Sequence, residues 1–525
     1  MRHKVAHGGM AIASEASQSF GYLHEKPHPD CVLPAGGDTI HRQVVKALDA
    51  LGAAMIEANT GDNETNSNIP PVYTYLGQFI DHDMTLNTDR NAGPNNTLRP
   101  EFDIRGGEDG ALFAPLDRGF IVDNLANGRT GFLDLDSVYG GGLQMSPQLY
   151  NGIKFKIGRN TQVPRGNVPP PDPHDLDRDL PRQPDSTLAE ISDLRNDENL
   201  IIAQLHLAFL RFHNAVIKWV SKRQPKYASD PEAHFKRVYD LVRWHYQWIV
   251  VHDFLPKIAD PKIVTMTLDR AQKDQLGFSG SFMPLEFSAA AYRFGHSMVR
   301  PSYDFNENFG AGSVIRSASF HRLFEFTGGS QNPLGGKPTL PHNWIIDWSR
   351  FVRHTSSSIE AGTPPRATRL IDTHLAPPLS DLVNEGNEES VQALQQLMKH
   401  LARRNLRRGY LLNLPTGECM AEHFGLTPLT PEELFADIEL DEMYKEIFHG
   451  RTPLWFYILR EAERAGGNHL GTLGSHIVAT VLIGMIRASP RSFLNQSWNP
   501  ADGVRTEDGS PIETIEHLLQ CAGVL

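Results

Sequence analysis

The chain has 525 residues, of which 40% are hydrophobic and 21% are charged, so it is long enough to bury one large core or two ordinary ones. Its formal net charge of -12 argues against a surface that binds polyanions, because phosphate backbones and anionic lipids attract clustered Lys and Arg. We therefore expect a globular protein that does not bind nucleic acid.

The N-terminal residues 1–23 contain no apolar run of the length that a secretory signal peptide needs. The longest apolar stretches, such as residues 477–486, are too short to cross a bilayer and fit buried helices better. We expect no transmembrane segment, and either a cytoplasmic location or export without an ordinary signal peptide.

The cysteines Cys31, Cys419 and Cys521 are too few for a disulfide framework. We expect them to be buried or incidental thiols that belong to no metal site. Free thiols suit a reducing compartment, although export without a leader would leave the same pattern.

Residues 77–83, Gly-Gln-Phe-Ile-Asp-His-Asp, place a histidine, two carboxylates and an amide on a predicted short helix after a Pro-Pro pair. Successive helical residues diverge by about 100°, so Asp81, His82 and Asp83 must face different surroundings. This arrangement suits a site that touches two ligands. The chain has 23 histidines, and a lone histidine is more often structural than catalytic, so this segment by itself leaves the function open.

Residues 130–137, Thr-Gly-Phe-Leu-Asp-Leu-Asp-Ser, offer an oxygen from a side chain or the backbone at every second position. Calcium takes about six to eight oxygen ligands, and a tight loop supplies them in this alternating way. The segment therefore indicates a calcium loop, with an ordinary acidic turn as the alternative.

Residues 157–187 are rich in Pro, Asp and Arg, which predicts a long surface loop rather than a domain boundary. Residues 199–220 carry the strongest helical pattern, with a core-facing stripe at positions 201, 205, 208, 212 and 216. Arg195 and Glu198 precede this helix at a spacing of three, and by themselves they are most simply a surface salt bridge.

Residues 284–300 repeat the helical rhythm at Phe287, Ala291, Phe294 and Met298, and His296 lies close to that stripe. By itself such a histidine is usually a core residue.

Residues 389–406 are rich in helix formers, and the basic run at 403–409 fits a solvated helix end. Thr430, followed by Pro and two Glu, predicts a helix start. Strong strand patterns are scarce, so we expect a mainly α protein with one large domain.

Five of these segments, at 77–83, 130–137, 195–198, 293–296 and 403–409, together resemble the peroxidase-cyclooxygenase superfamily, the animal-type haem peroxidases, and in particular its bacterial members. Their order and spacing both match, and residues 246–256 and 452–457 are also similar to the family. The resemblance covers about residues 65–500. It implies the animal haem peroxidase fold, in which a single large helical domain (65–525) buries haem between central helices, with an N-terminal extension (1–64) packed on the core.

The resemblance also assigns roles around the haem. On the distal side, the expected residues are His82 as the histidine, Arg195 as the arginine and Gln78 as the amide. On the proximal side, they are His296 as the iron ligand, Asn405 as the acceptor of its other ring N–H, and Arg293 and Arg408 as partners of the haem propionates.

Two carboxylates, Asp81 and Glu198, match those that form ester bonds to haem b in mammalian relatives. Ester formation also requires turnover with peroxide. Asn199 stands where myeloperoxidase has a sulfur-linked Met, so we expect no third link.

The resemblance assigns a second cofactor, Ca²⁺, to Asp83, Thr130, Asp134, Asp136 and the carbonyl oxygen of Phe132. Family members often have Ser at the position of Asp136, so the additional carboxylate should tighten calcium binding.

The activity that the resemblance implies is reduction of hydrogen peroxide with oxidation of small organic donors or halides, as in a response to oxidative stress. One alternative is a haem-dependent fatty-acid dioxygenase, whose Tyr lies three residues before the proximal histidine. Arg293 occupies that position here, and Tyr292 lies one residue earlier. The other alternative is a non-catalytic helical haem-binding or scaffold protein. The sequence leaves the reducing substrate and the oligomeric state open.

Overall fold

The computed structural model describes residues 3–4, 10–11, 18–57, 65–89, 100–106, 113–163 and 176–525. The central part of the predicted loop, residues 164–175, lies outside the described residues, as does most of the N-terminal segment 1–17 in which no signal peptide was expected.

Helices dominate these ranges, which confirms the prediction of a mainly α protein. The α-helices are α1 (Gly37–Ala54), α2 (Val72–Met84), α3 (Arg118–Asn124), α4 (Asp136–Tyr139), α5 (Gly142–Met145), α6 (Leu200–Arg223), α7 (Pro231–Ile249), α8 (Leu255–Ile258), α9 (Pro261–Gln272), α10 (Leu285–Ser288), α11 (Arg322–Glu325), α12 (Ser349–Val352), α13 (Gln392–Lys399), α14 (Leu401–Leu411), α15 (Gly417–His423), α16 (Pro431–Phe435), α17 (Glu442–Phe448), α18 (Leu454–Arg464), α19 (Thr472–Ala488) and α20 (Ile515–Cys521). Two short 3-10 segments, Leu194–Asp197 and Ala291–His296, contribute to the site described below.

The strands are short. They are β1 (His3–Lys4), β2 (Met10–Ala11), β3 (Gln18–Gly21), β4 (Asn87–Asp89), β5 (Leu125–Asn127), β6 (Tyr150–Asn151), β7 (Lys154–Phe155), β8 (Phe282–Pro284), β9 (Ser302–Tyr303) and β10 (Ala318–Ser319). One sheet has four strands in the order β4-β5-β3-β8, with β3 antiparallel to β5 and parallel to β8. Through β3, the N-terminal segment is therefore tied to the chain just before α10.

Helix α6 lies in the core, as its sequence pattern predicts. The five stripe residues, Ile201, Leu205, Ala208, Phe212 and Val216, are each 0% exposed. α2 and α7 pack on α6 through aromatic rings: Phe79 of α2 stacks on Phe209 at a centroid distance of 4.4 Å, and Tyr246 of α7 meets Phe209 edge-on at 5.6 Å. Such pairs stabilise a packing beyond the area they bury, so α2 is held firmly against α6.

By length and composition, α6 is also the one helix in the described ranges that could cross a membrane. Its apolar window is 83% buried within the fold, as in the core helix of a globular protein. α19, which contains the predicted apolar stretch 477–486, is likewise buried along most of its length.

Two predicted helices are broken. Residues 284–300 form α10 and then a 3-10 segment, with a kink at Ala290 (φ −134°, ψ −74°), although all four stripe residues are buried as expected. Residues 389–406 are split at His400, whose side chain accepts a hydrogen bond from the backbone N–H of Arg403 and so caps α14. The predicted start at Thr430 is confirmed, because Thr430 and Glu433 form a capping box on α16.

The expectation of free thiols is wrong for two of the three cysteines. Cys31 and Cys419 form a disulfide across 388 residues of sequence, and Cys521 is free. The inference of a reducing compartment, which depended on free thiols, thereby loses its basis. The pairing arises from tertiary contact between the N-terminal segment and α15, about which the sequence spacing carries no information.

The described part of the predicted N-terminal extension packs on the core. Helix α1 lies against α14, and Asp49 accepts hydrogen bonds from the guanidinium group of Arg407 at 2.8 and 2.5 Å. The boundary between residues 64 and 65 stays a prediction.

Candidate functional site

A cavity lies between α2 and the 3-10 segment Ala291–His296, with an empty volume of about 1060 Å³ that includes its open mouth. α2 contributes Tyr75, Gln78, Asp81 and His82, which share one helical face. The 3-10 segment contributes the consecutive residues 292–296, which a straight α-helix could not turn toward one cavity. The two histidines with predicted haem roles, His82 and His296, therefore line the same cavity.

The hydrogen bonds around His82 define the protonation of its ring. Its Nδ1 lies 2.8 Å from Oδ1 of Asn196, and Nδ2 of Asn196 lies 2.9 Å from Nδ1 of His206. With the amide oxygen of Asn196 turned toward His82 and its NH2 group toward His206, Nδ1 of His82 donates and Nε2 keeps a lone pair. Burial, followed by the nearby charge of Arg195, lowers the pKa of His82 to about 4, so its ring is neutral at pH 7.

Arg195 lies beside His82, but it is not among the residues that line the cavity. Its Nε and Nη2 donate to the carboxylate of Asp193, and Nη2 also donates to the carbonyl oxygen of His82 at 2.8 Å. The guanidinium group of the expected distal arginine therefore faces Asp193 and the backbone of His82 and not the cavity. The buried carboxylate of Asp193, which also N-caps the segment holding Arg195, offers two oxygens that turn it away.

A second buried arginine, Arg129, shares these partners. Its Nε donates to the carbonyl oxygen of His82 at 3.2 Å, and its Nη2 pairs with Asp193. Burial would raise the pKa of Asp193, but Arg195 and Arg129 hold it well below its usual range. The carboxylate therefore stays charged and fixes both guanidinium groups against the backbone of the histidine.

Gln78 is oriented by Asn199. The only expectation for Asn199 was that it forms no sulfur link to haem. Nδ2 of Asn199 donates to Oε1 of Gln78 at 3.0 Å, while Oδ1 of Asn199 caps α6 through the N–H of Ile202. Both residues line the cavity. Because its oxygen is engaged, Gln78 presents its amino group as the donor for a ligand.

The two carboxylates predicted to bond haem both line the cavity. Oδ1 of Asp81 accepts a hydrogen bond from the hydroxyl of Thr85 at 3.0 Å. Glu198 has only a long contact of 3.4 Å from Asn384 to Oε1, and its buried Oε2 has no hydrogen bond. Burial and the neighbouring Glu385 raise the pKa of Glu198 to about 8. A buried polar atom without a partner costs free energy, so this wall suits a further bound group.

His296 contacts the predicted partner, but through the other end of the amide. Nδ2 of Asn405 lies 2.9 Å from Nδ1 of His296, so Asn405 donates and the ring proton sits on Nε2. Iron binding at Nε2 requires the proton on Nδ1 and the oxygen of Asn405 toward it. A half-turn of the Asn405 amide, whose two ends are nearly isosteric, provides this arrangement. Burial, followed by Arg293 and Arg404, lowers the pKa of His296 to about 3, so its ring is neutral.

Three arginines cluster near His296. Arg293 lines the cavity, and its buried Nε has no hydrogen bond. Arg408 is not a lining residue: it donates to the carbonyl oxygen of Phe102 at 2.9 Å, and burial with Arg293 and Arg404 lowers its pKa to about 10. Arg404, which the sequence analysis missed, forms a 3.2 Å ion pair with Glu385. These cations suit the anionic edge of a ligand.

The predicted calcium loop has an unusual backbone. Gly131, Leu133 and Leu135 adopt left-handed conformations (φ 72°, 56° and 61°) at alternate positions. Left-handed leucines are rare and costly, and such strain concentrates at ligand sites. The carbonyl oxygen of Phe132 accepts a hydrogen bond from Gln247 at 3.2 Å. Thr130 lies at the start of this loop, and its backbone N–H is 3.4 Å from Oδ2 of Asp136.

Three carboxylates lie at this loop with little compensating charge: Asp83 and Asp136 are buried and Asp134 is partly buried. Asp83 accepts hydrogen bonds from Leu135 and Ser137, whereas Oδ1 of Asp134 and Oδ1 of Asp136 have none. Burial raises the pKa of Asp83 and Asp134 to about 6 and that of Asp136 to about 7.

The nearest cations to the unpaired oxygens are at ion-pair distances only, with Arg243 3.6 Å from Asp134 and Arg129 3.8 Å from Asp136. The donor set therefore fits a hard divalent cation. Among the described residues, however, the oxygen atoms of these carboxylates do not all come within 4.8 Å of one another.

Comparisons with known proteins identify the family and the fold. The family description "animal haem peroxidase" matches residues 52–327, more than half of the chain. A peroxidase-like protein of Margaritifera margaritifera is 28% identical over 294 residues, covering 50% of this chain and 36% of the relative. Human thyroid peroxidase is 27% identical over 208 residues, covering 37% of this chain and 22% of the relative. The chain thus matches about a third or less of the length of these two relatives.

Solved structures show the same fold. Peroxidase A from Dictyostelium discoideum superimposes with a TM-score of 0.56 at 14% identity, covering 98% of this chain and 96% of that chain. A fatty acid alpha-dioxygenase from Arabidopsis thaliana gives a TM-score of 0.58 at 13% identity, covering 94% and 75%. At these identities the likeness concerns the fold alone. With the family match over more than half of its length, the chain belongs to the animal haem peroxidase family of the peroxidase-cyclooxygenase superfamily.

Proposed function

We propose that the chain is a haem-dependent peroxidase that reduces hydrogen peroxide and oxidises small organic donors or halides. One observation carries the proposal: His82, neutral and with an unprotonated Nε2, lines the same cavity as His296. Haem bound there would supply the iron that takes the two oxidising equivalents of peroxide and passes them to a reducing substrate.

The proton transfer belongs to His82. Nε2 accepts the proton of one peroxide oxygen and returns it to the departing oxygen, a step that needs a neutral ring at the start. Asn196 keeps the resident proton on Nδ1. Arg195 and Arg129 donate hydrogen bonds to the backbone carbonyl of His82 and so hold the residue that carries the ring in position.

Other residues would hold the cofactor. His296 would bind iron through Nε2, with Asn405 turned so that its oxygen accepts from Nδ1. The cations Arg293 and Arg408 would meet the propionates. Asp81 and Glu198 line the cavity as the candidates for ester bonds to haem.

We also propose Ca²⁺ as a structural ion held by Asp83, Thr130, Phe132, Asp134 and Asp136. The unpaired oxygens of Asp134 and Asp136 and the strained backbone between them support it. Asp83 follows His82 directly, so the ion would brace the helix that carries the distal histidine.

A fatty-acid dioxygenase remains the second candidate because of one residue. Tyr292 lines the cavity and is 6% exposed, and its hydroxyl has no hydrogen bond. An unpartnered phenol in this wall is what hydrogen abstraction from an apolar substrate would need. The offset from the usual position relative to the proximal histidine argues against it.

The test is an absorption spectrum of the full chain after haem supplementation, with and without hydrogen peroxide, followed by a donor screen that includes bromide and iodide. We expect a Soret band that changes on addition of peroxide and is restored by a donor. Oxygen uptake with a polyunsaturated fatty acid would favour the dioxygenase. Absence of any Soret band would favour the non-catalytic scaffold.

A further inference from the structure

A second cluster of metal-binding side chains lies outside the haem cavity. The Cys–His cluster consists of His24, Cys31, Cys419 and His423. One ring nitrogen of His24 and the sulfur atoms of the two cysteines all lie within 4.8 Å of one another. The ring of His423 stacks on that of His24 at a centroid distance of 4.5 Å. Cys419 and His423 are four residues apart on α15, so they share a helical face.

We propose that the Cys–His cluster is a redox-gated zinc site, which is a disulfide in the oxidised chain and a ligand set for Zn²⁺ in the reduced chain. Two thiolates and two imidazoles are ligands that zinc prefers, and four is the number of ligands that a structural zinc site takes. His24 and the two cysteines provide three ligands, and a rotation of the exposed His423 completes the set.

The cluster stays assembled when the disulfide is broken, because other bonds hold both of its sides. The backbone N–H groups of Leu23 and His24 donate to the carboxylate of Glu286 at 2.9 and 3.1 Å. The N–H of Thr416 donates to the carbonyl oxygen of Cys31 at 2.8 Å. Reduction therefore leaves two thiols facing each other beside an imidazole.

The backbone spacing suits both states. The Cα atoms of Cys31 and Cys419 are 5.4 Å apart. Zinc–sulfur bonds of about 2.3 Å in a tetrahedron place two sulfurs roughly 3.8 Å apart, which side-chain rotation reaches from this spacing.

The two states interconvert by balanced chemistry. A dithiol reductant gives the disulfide two electrons and two protons, and Zn²⁺ then displaces the two thiol protons. In the other direction, one hydrogen peroxide takes two electrons from the thiolate pair and, with two protons, becomes two waters, leaving the disulfide and free Zn²⁺. Peroxide acts here as a chemical oxidant, so the step does not depend on the proposed haem reaction.

The test uses the full chain, reduced with a dithiol that is then removed without oxygen, in excess Ca²⁺ to saturate the carboxylate loop. We expect the reduced chain to take up one more equivalent of Zn²⁺ than the oxidised chain, and to release it on addition of hydrogen peroxide. Co²⁺ in place of zinc should give sulfur-to-metal charge-transfer absorption.

Three variants locate the ion. Cys31→Ser should abolish the extra equivalent, and Cys521→Ser, which changes the free thiol, should leave it unchanged. His24→Ala keeps the disulfide, so the oxidised chain should melt as the parent does, while zinc affinity of the reduced chain falls at least ten-fold. His423→Ala should weaken binding by a smaller factor. Equal zinc uptake by the oxidised and reduced chains, or full zinc affinity in reduced His24→Ala, would overturn the proposal.

Discussion

Asn196 accepts a hydrogen bond from Nδ1 of His82 at 2.8 Å, and this contact leaves Nε2 as the ring nitrogen without a proton. Replacing Asn196 with the isosteric Leu removes the acceptor. We expect the rate of reaction with peroxide to fall about ten-fold or more because the tautomer is no longer fixed. Stopped-flow Soret spectra measure that rate, and equal haem content in both proteins is the control.

The Asn196→Asp variant tests whether Asn196 acts on the proton of His82 or only packs against its ring. A carboxylate beside His82 favours the protonated ring and raises its pKa. Since the neutral ring is the reactive form, the acid limb of the pH–rate profile should move to higher pH. An unmoved acid limb would show that Asn196 has no influence on the proton of His82.

The His82→Ala variant tests the base itself. We expect the peroxide reaction to slow by about 10²- to 10⁴-fold, the usual contribution of general acid–base catalysis, while haem stays bound. The matched control is His252→Ala, because His252 is exposed and does not line the cavity. A rate unchanged from the parent would remove His82 from the mechanism.

His296→Ala should weaken haem binding or alter the ferric haem spectrum, because it removes the proposed iron ligand. Free imidazole added to the variant should restore part of the parent spectrum by occupying the vacated space. If the variant and the parent have identical spectra without imidazole, the iron ligand is another residue.

Calcium removal should change how stability depends on pH. Burial raises the pKa of Asp83, Asp134 and Asp136 above the ordinary value, to about 6, 6 and 7. Without the ion, the folded chain binds more protons than the unfolded chain between about pH 4 and 7, so its stability falls as pH rises through that window. A bound cation keeps the carboxylates charged and should remove this loss.

The measurement for this prediction is the unfolding midpoint across pH, with calcium or with a chelator. Asp136→Asn, which keeps an oxygen and removes a charge, should lower calcium affinity and flatten the pH dependence of the chelated chain. If the chelator has no effect on the parent at pH 7, the loop does not hold an ion.

Tyr292→Phe distinguishes the two candidate activities. A peroxidase does not need this phenol, so we expect peroxide-dependent oxidation of donors to stay within about two-fold of the parent, since only one unbonded hydroxyl is lost. A dioxygenase would lose its oxygen uptake in the same variant. Because the substitution removes only the hydroxyl group, it leaves the packing of the aromatic ring unchanged.

Much of the fold followed from periodicity. The α6 stripe at positions 201 to 216 is buried as predicted, because apolar residues spaced three and four apart lie on one face of an α-helix. The break at Ala290 has no such signal, because its alanine neighbours are good helix formers. With the kink, five consecutive residues line one cavity. The disulfide between Cys31 and Cys419 was likewise not predictable, since it depends on how the N-terminal segment packs against α15.

The candidate site was predicted through motifs, which name residues but not their contacts. The structure places His82, Gln78 and His296 at one cavity, and their roles stay predictions. The turn of Arg195 toward Asp193 was missed, although a carboxylate two residues before an arginine was a visible signal. Asn196 was missed because nothing in its spacing marks it.

Arg129 has a consequence for anyone who purifies this protein. Its guanidinium group touches the carbonyl oxygen of His82 and lies 3.8 Å from the carboxylate of Asp136 in the acidic loop. A cation or proton that neutralises the loop carboxylates would therefore change the attraction between Asp136 and Arg129, and with it the contact of Arg129 with the backbone of His82. Two preparations with the same haem content but different exposure to chelators would then differ in turnover. Such a difference could be mistaken for an effect of the sequence.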